Sequence, residues 1–183
     1  MKDVQKSYAD VAQAIHRFEP VTMLTPSSAV SEARSHLSSD IEIFEIDLDD
    51  SWVRDNGPIF VASDSGEVAL VDFDFNGWGN RYRPYDKDDV LPAVLAEALS
   101  IRYYKAPMVL EGGAFHVDGE GTLLTTESCL LNPNRNPHLS REEIENTLAD
   151  YLGISKVIWL GRGLHGSMTD GHVDGVACFV RPR

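Results

Sequence analysis

Three short polar motifs carry the residues of this chain that could do chemistry. They are WVRDNGP at Trp52–Pro58, EGG at Glu111–Gly113 and GHVDG at Gly171–Gly175. Between them they supply two aspartates, a glutamate and a histidine. Two carboxylates can bind the nitrogen edges of a planar cation such as a guanidinium group through paired, charge-assisted hydrogen bonds. The motifs therefore predict a site that binds a small cation and moves protons.

Each polar residue of the motifs has an expected role. Asp55 and Asp174 are the predicted cation ligands, since each lies in a polar stretch directly before an apolar run. His172 is two residues before Asp174, and in an extended segment both side chains would point to the same face. A histidine beside a carboxylate can shuttle protons near neutral pH. Glu111, followed by two glycines, is expected to orient and charge-stabilise that histidine.

Two tryptophans and two cysteines are further candidates for a functional role. Trp52 and Trp78 could wall the site against the apolar part of a substrate, although the default role of such residues is core or loop packing. Each polar motif taken alone is also a weak signal, because an isolated HxD or EGG is more often structural. Cys129 and Cys178 lie in apolar runs and are expected to be small core residues. They make neither a disulfide framework nor a zinc-type spacing, so no metal is predicted.

Short helices and strands must position these motifs. Hydrophobic spacing predicts helices at 3–18, 27–37 and 88–99, and a further helix that begins at the Ser140–Glu143 capping box and ends at Gly153. Strand-like runs follow the same logic and occur at 21–25, 41–46, 58–62, 67–73, 113–117, 121–126, 156–160 and 173–180. Hairpin turns are expected at Ser65–Gly66 and Asp118–Gly119. The order predicts an α/β fold with an internal repeat of roughly 60 residues.

Composition argues against several classes of partner. The net charge of −13, from 29 acidic and 16 basic residues, argues against nucleic acids and anionic membranes, which require clustered Lys and Arg. An acidic field would attract a small cation, although it could equally serve only solubility. No apolar run approaches the roughly 20 residues of a membrane span. The polar start MKDVQKSYAD contains no signal region, so a cytoplasmic location is expected.

The motifs together resemble a known family. WVRDNGPIFV, FNGWGN at Phe75–Asn80, the block Leu110–Pro137 and GHVDG are similar to the agmatine deiminases of the Porphyromonas-type peptidyl-arginine deiminase family, within the guanidino-group-modifying superfamily. The resemblance covers essentially the whole chain. It implies a five-bladed α/β propeller, the pentein fold, with the site at its axis and about three of its five repeats present here. It also implies hydrolysis of agmatine to N-carbamoylputrescine and ammonia, without metal or cofactor, in polyamine and putrescine biosynthesis.

The resemblance also assigns roles to individual positions. The positions that match the family are two guanidinium-binding carboxylates (Asp55 and Asp174), an acid–base pair (Glu111 and His172) and two pocket aromatics (Trp52 and Trp78). In the family mechanism a cysteine thiolate attacks the guanidinium carbon. The histidine protonates the departing ammonia and then activates the water that releases the product.

The nucleophile of the family is the part that this sequence lacks. The family has a glycine-rich loop with an HC pair downstream of the histidine motif, so residues 1–183 are expected to be a single catalytic domain, truncated at both ends. Cys129 is expected to be in a core, and Cys178 would lie roughly 13 Å along a strand from Asp174, so neither is expected to replace the nucleophile. An open ring would expose strand edges, which favours a homo-oligomer. Three functions stay open: agmatine deiminase, a deiminase of peptidyl-arginine or another guanidine, and a non-catalytic guanidine-binding or assembly fragment.

Overall fold

Two units of unequal size make up the chain. They are Met1–Leu48 and Asp49–Arg183, and the structure, a computed structural model, describes residues 2–181. All the predicted site residues belong to the second unit. The fold of that unit therefore decides how the motifs meet.

The first unit is a βαβ arrangement preceded by a helix. Helix α1 (Lys2–His16) is followed by strand β1 (Thr22–Thr25), a 3₁₀ turn (Ser27–Ala29), helix α2 (Val30–His36) and strand β2 (Glu42–Glu45). Strands β1 and β2 are parallel, and a parallel pair requires a crossover connection, which α2 provides. The two helices and two strands predicted for this part are confirmed, with ends that differ by a few residues.

The second unit begins with a three-stranded sheet of order β3-β4-β5. In chain order its elements are α3 (Val53–Asn56), β3 (Ile59–Ala62), β4 (Val68–Asp74), α4 (Gly77–Asn80), α5 (Asp86–Asp89), α6 (Leu91–Leu99) and β5 (Arg102–Val109). Strands β3 and β4 form the predicted antiparallel hairpin, and β5 joins β4 in parallel after the α6 crossover. The predicted helix at 88–99 is divided at Val90 into α5 and α6. Strand β5 was not predicted.

A second three-stranded sheet, of order β6-β7-β8, repeats this topology. In chain order its elements are a 3₁₀ turn (Gly112–Ala114), β6 (Phe115–Val117), β7 (Thr122–Thr126), α7 (Glu127–Leu130), α8 (Arg141–Leu152) and β8 (Lys156–Leu160). Strands β6 and β7 form the second predicted hairpin, and β8 is parallel to β7. The predicted capping box of α8 is present, and Gly153 ends the helix in the left-handed conformation.

One hydrophobic core connects the two sheets of the second unit. It contains aliphatic and aromatic side chains from β4, β5, β6, β7, α7 and α8, among them Phe73, Met108, Leu123, Leu130, Ile144 and Leu148. Cys129 is fully buried in this core, which confirms the expectation for that cysteine. Leu110, Ala114 and Phe115, which flank the EGG motif, belong to this core, so that motif lies against tightly packed side chains.

The predicted strand at 173–180 is wrong. The N–H groups of Val176 and Ala177 both donate to the carbonyl of Val173, at 2.9 Å each, and this closes a turn instead of extending a strand. Cys178 is consequently exposed rather than part of a core. The distance between Cys178 and Asp174 that was expected from strand geometry no longer applies.

The helices of the chain are short. The longest helix in residues 2–181, α1, has 15 residues. A membrane span needs about 20 apolar residues. Within the described part of the chain, no helix is long and apolar enough to cross a bilayer.

Candidate active site

Asp55 is held in a fixed orientation by two N–H donors. It lies in the single-turn helix α3 and is largely buried. Its Oδ1 accepts a hydrogen bond from the backbone N–H of Gly113 (3.0 Å), and its Oδ2 accepts one from the indole N–H of Trp78 (3.0 Å). Burial raises the pKa of Asp55 above its usual range, although His172 and these two donors oppose the change. A bound cation would favour the ionised carboxylate.

Trp78 and Trp52 form an aromatic wall beside this carboxylate. Trp78 is buried and has a positive φ of 54° between two glycines that also have positive φ. This tight turn aims the indole N–H at Asp55. Trp52 packs edge-to-face on Trp78, with ring centroids 6.4 Å apart and planes at 87°. About half of Trp52 is exposed, so its ring is accessible to a ligand.

Glu111 is completely buried, and only one of its two carboxylate oxygens accepts a hydrogen bond. Its Oε1 accepts a 2.6 Å hydrogen bond from Nε of Arg135, while its Oε2 has no hydrogen-bond partner. Burial alone would raise the pKa of Glu111, but the nearby His172 and the positive charge of Arg135 outweigh burial and lower it. The carboxylate therefore stays ionised within the protein interior.

His172 lies between the two buried carboxylates. Its Nδ1 is 3.7 Å from Oδ1 of Asp55, and its Nε2 is 3.9 Å from Oε2 of Glu111. Both distances exceed a hydrogen bond, and Nε2 of His172 and Oε2 of Glu111 are both buried without partners. Such unpartnered groups are costly, and their meeting here indicates a site prepared for proton transfer.

Gly113 is the point at which the polar groups converge. A Cβ atom placed on Gly113 would be 2.6 Å from Nδ1 of His172 and 2.7 Å from both Oδ2 of Asp174 and Oδ1 of Asp55. Asp174 is also tied to this position, since its backbone N–H donates to the Gly113 carbonyl at 3.3 Å. Two carboxylates and an imidazole thus surround one small space. We call Asp55 and Asp174 the cation cage, and Glu111 and His172 the acid–base pair.

The structure brings the predicted site residues together. The six predicted residues come from four motifs and meet around Gly113 and Trp78; they are Trp52, Asp55, Trp78, Glu111, His172 and Asp174. The expected extended geometry at 172–174 is absent, because the segment is a turn. The turn nevertheless directs both side chains towards Gly113. The roles assigned to the six residues stay predictions.

A third buried group lies beside the acid–base pair. Glu111, Cys129 and His172 bring three metal-ligand atoms within 4.8 Å of one another, a proximity that the sequence spacing did not indicate. Burial raises the pKa of Cys129 above the usual thiol range, so the thiol keeps its proton in the metal-free protein. The other oxygen of Glu111 is paired with Arg135.

Two charged residues of the site were not identified from the sequence. Arg135 is fully buried and pairs with Glu111 and Asp170. Asp170 also accepts from the side-chain amide of Asn134 at 2.9 Å and pairs with Arg81. The only sequence signal was the polar string NRNP, which contains Arg135. Nothing in the sequence connects that string with the GHVDG motif.

Comparison with known proteins gives consistent similarities. The sequence profile of the family described as Porphyromonas-type peptidyl-arginine deiminase matches residues 1–183. The chain is 51% identical over 186 residues to a protein of Listeria monocytogenes named putative agmatine deiminase 1, covering 99% of this chain and 51% of that protein. It is 51% identical over 187 residues to a Pseudomonas aeruginosa agmatine deiminase, with the same coverage.

Solved structures show the same fold. The chain superimposes on the agmatine deiminase of Enterococcus faecalis with a TM-score of 0.94 and 45% identity, covering 98% of this chain and 51% of that one. It superimposes on the putative arginine deiminase of Porphyromonas gingivalis with a TM-score of 0.89 and 37% identity, covering 99% and 55%. The fold is therefore the α/β fold of these enzymes. The chain spans about half the length of the relatives that it matches.

Proposed function

The chain belongs to the Porphyromonas-type peptidyl-arginine deiminase family, and on this premise we propose that it forms the substrate-binding and acid–base part of an agmatine deiminase. The reaction is the hydrolysis of agmatine to N-carbamoylputrescine and ammonia. The observation that carries the proposal is the convergence of Asp55, Asp174 and His172 on the space beside Gly113. The identity of the substrate is inferred from the relatives that are named agmatine deiminase.

The cation cage binds the guanidinium group. Asp55 and Asp174 accept hydrogen bonds from its nitrogen edges, and their charges balance its delocalised positive charge. The exposed face of Trp52 packs against the apolar chain of the substrate. With the carbon held in this way, the reacting groups need only small movements.

The acid–base pair moves the protons. A thiolate attacks the guanidinium carbon and forms a C–S bond. The C–N bond then breaks, and the departing nitrogen leaves as ammonia with a proton from His172. His172 next accepts a proton from water as the water oxygen attacks the same carbon. The C–S bond breaks, and the ureido product and the thiolate are released. Nδ1 of His172 faces the cation cage and Nε2 faces Glu111, so Glu111 stabilises the protonated imidazole.

The thiolate belongs to a cysteine outside this chain in our proposal. Cys129 is buried and keeps its proton, which is unsuitable for a nucleophile, and Cys178 is exposed and takes no part in the contacts described for the site. Relatives about twice as long leave room for a further segment. We further propose that residues 1–183 are part of one catalytic domain with a five-bladed propeller. Within the second unit, the shared order of the β3-β4-β5 and β6-β7-β8 sheets supports the repeat.

An activity assay tests the proposal directly. The protein as its gene encodes it is incubated with agmatine or with an arginine peptide, and ammonia and the ureido product are both quantified. Hydrolysis of agmatine is the expected result. Turnover of the peptide alone would instead indicate a peptidyl-arginine deiminase, and guanidine binding without turnover would indicate a binding module.

A binding variant tests the cation cage. Asp174→Asn leaves the guanidinium with one charged partner, so we expect agmatine affinity to fall by about 1.5–3 kcal/mol, the value of a charged hydrogen bond. Titration calorimetry measures the change. Asp150→Asn, an exposed aspartate on α8, is the matched control. Equal affinities for the two variants would refute the role of Asp174.

A further inference from the structure

Arg135 contacts Glu111 of the acid–base pair and the turn that leads into His172. Its side chain is fully buried, and Nε donates to Oε1 of Glu111 at 2.6 Å. On its other edge, Nη2 donates to the carbonyl of Thr169 at 3.2 Å and Nη1 donates to Oδ2 of Asp170 at 3.0 Å. One guanidinium group therefore connects the glutamate with the turn that leads into His172.

That turn places the His172 imidazole. The hydroxyl oxygen of Thr169 accepts from the backbone N–H of His172 at 3.1 Å, so Arg135 is two hydrogen bonds away from the backbone of the histidine. On the opposite side the hydroxyl of Thr126 donates to the Gly171 carbonyl at 2.6 Å. Hydrogen bonds thus restrain the backbone on both sides of His172, whose Nε2 is 3.9 Å from Oε2 of Glu111.

The charges along this line alternate from the surface to the site. Arg81, which is partly exposed, pairs with Asp170, Asp170 pairs with Arg135, and Arg135 pairs with Glu111. Each buried charge has an opposite neighbour, which is the condition under which a buried ion is tolerated. The hydrogen bond from Arg135 occupies Oε1 of Glu111 and leaves Oε2 as the oxygen that faces His172.

We propose that Arg135 is the positioning residue of the acid–base pair. It keeps Glu111 ionised with Oε2 directed at His172, and it fixes the turn that carries the imidazole. The inference rests on the proposed function, because it assigns Arg135 a purpose in proton transfer. Arg135 has no hydrogen bond to the cation cage, so it acts through Glu111 and through the turn at Thr169 and Asp170.

Arginine is required here because three directions must be satisfied at once. The planar group donates from separate nitrogens to Glu111, Asp170 and Thr169, whereas a lysine offers one compact ammonium. Arg135→Lys thus retains the charge and loses the fixed geometry, and Arg135→Gln loses both. Arg141→Lys is the matched control, since Arg141 forms an exposed ion pair with Glu127 outside the site.

Steady-state kinetics of the protein as its gene encodes it separate positioning from binding. For Arg135→Lys we expect kcat to fall on the order of 100-fold, the effect of a misplaced catalytic group. KM should change little, because the cation cage is intact. Arg141→Lys should behave as the unmodified protein. A wild-type kcat for a folded Arg135→Lys variant would overturn the inference.

Carbon NMR titration of the Glu111 carboxyl provides a second readout that needs no activity. In Arg135→Gln the pKa of Glu111 should rise, because the neighbouring charge is gone, whereas Arg135→Lys should retain a lowered pKa. If the Arg135 variants fail to fold, Asp170→Asn provides the test. It removes the charge that pairs with Arg135 but keeps an acceptor oxygen, so the protein should fold and kcat should fall. An unchanged kcat would count against the inference. A protein that hydrolyses no guanidine would refute the proposed function, and the titration would still test Arg135.

Discussion

At the scale of single residues, the site depends on the absence of a side chain at Gly113. Gly113 provides the space into which the two carboxylates of the cation cage and His172 point, and its own N–H and carbonyl bind Asp55 and Asp174. Gly112 is equally constrained, since a Cβ there would be 2.0 Å from the Arg54 carbonyl. The two glycines of EGG thus have different effects: Gly112 allows α3 to pack closely, and Gly113 leaves the space that we propose for the ligand.

Replacement of Gly113 by alanine tests this arrangement. The added methyl group would overlap three polar atoms, so we expect agmatine binding to weaken by about 1–3 kcal/mol, the usual cost of overpacking. Gly161→Ala is the control, because a Cβ at Gly161 meets nothing within 4 Å and its φ is not in the positive range. Calorimetry on both variants decides the matter. Equal affinities would show that the ligand does not occupy this space.

The pH dependence of binding follows from Asp55. Burial raises its pKa, and a guanidinium ion needs the ionised carboxylate. Agmatine affinity should therefore fall as the pH drops through the raised pKa, beginning above the ordinary range for aspartate. Near that pH the ligand should displace a proton, which calorimetry detects as a heat that varies with the ionisation enthalpy of the buffer. For Asp55→Asn, affinity should be weak and lack this proton release.

At the scale of elements, local signals were sufficient where the structure is local. Both hairpins and the capping box of α8 were predicted because their turn and cap residues adopt the same geometry in many proteins. Strand β5 was missed because it begins with Arg102, contains Pro107 and is fixed by parallel pairing with β4. The strand expected at 173–180 failed because turn hydrogen bonds replaced extension.

Local sequence signals likewise identified some residues of the site and missed those that depend on long-range contacts. Residues inside recognisable motifs, such as Asp55 and His172, could be identified from the sequence. Arg135 and Asp170 could not, because their importance comes from each other and from Glu111, 24 residues from Arg135 along the chain. Only the folded arrangement brings these charges together.

Helix α5 is the element that fixes two segments of the site. The carboxylate of Asp88, on this four-residue helix, is buried and accepts from the backbone N–H groups of Asp49 (2.8 Å) and Asp50 (3.2 Å), just before Trp52. Its neighbour Asp89 accepts from the N–H of Phe75 (2.7 Å), just before the Trp78 turn. The helix thus holds both parts of the aromatic wall in place.

Asp88→Asn should loosen this arrangement. In the amide an NH2 group replaces one carboxylate oxygen, so the N–H of Asp50 loses its 3.2 Å bond to Oδ2 and a single oxygen must serve both N–H groups. We expect this to cost about 1–3 kcal/mol of unfolding free energy. Agmatine binding should weaken as well, because the segment that leads to Trp52 and Asp55 is no longer fixed. Asp86→Asn, on the exposed side of the same helix, should change neither quantity. Urea unfolding and calorimetry give the two values, and wild-type results for Asp88→Asn would contradict the role of α5.

At the scale of the whole molecule, repetition places the site residues in equivalent positions. Asp55 lies in the turn directly before β3, and Glu111 lies directly before the 3₁₀ turn that leads into β6. β3 and β6 are the corresponding first strands of sheets that share one topology. The repeat therefore brings acidic residues from distant parts of the sequence to one place, and variation of the turns can supply different functional groups on the same scaffold.

The net charge of −13 makes a prediction that belongs to the molecule rather than to one residue. An acidic field raises the local concentration of cations, and salt screens it over a length of about 8 Å at 0.15 M. Agmatine carries two positive charges near neutral pH and methylguanidine carries one. Raising NaCl from about 0.02 to 0.5 M should therefore weaken agmatine binding more steeply than methylguanidine binding. Calorimetry across this range measures both slopes. Equal slopes would mean that only the cation cage contributes to electrostatic attraction of the ligand, and that the remaining acidic residues serve only solubility.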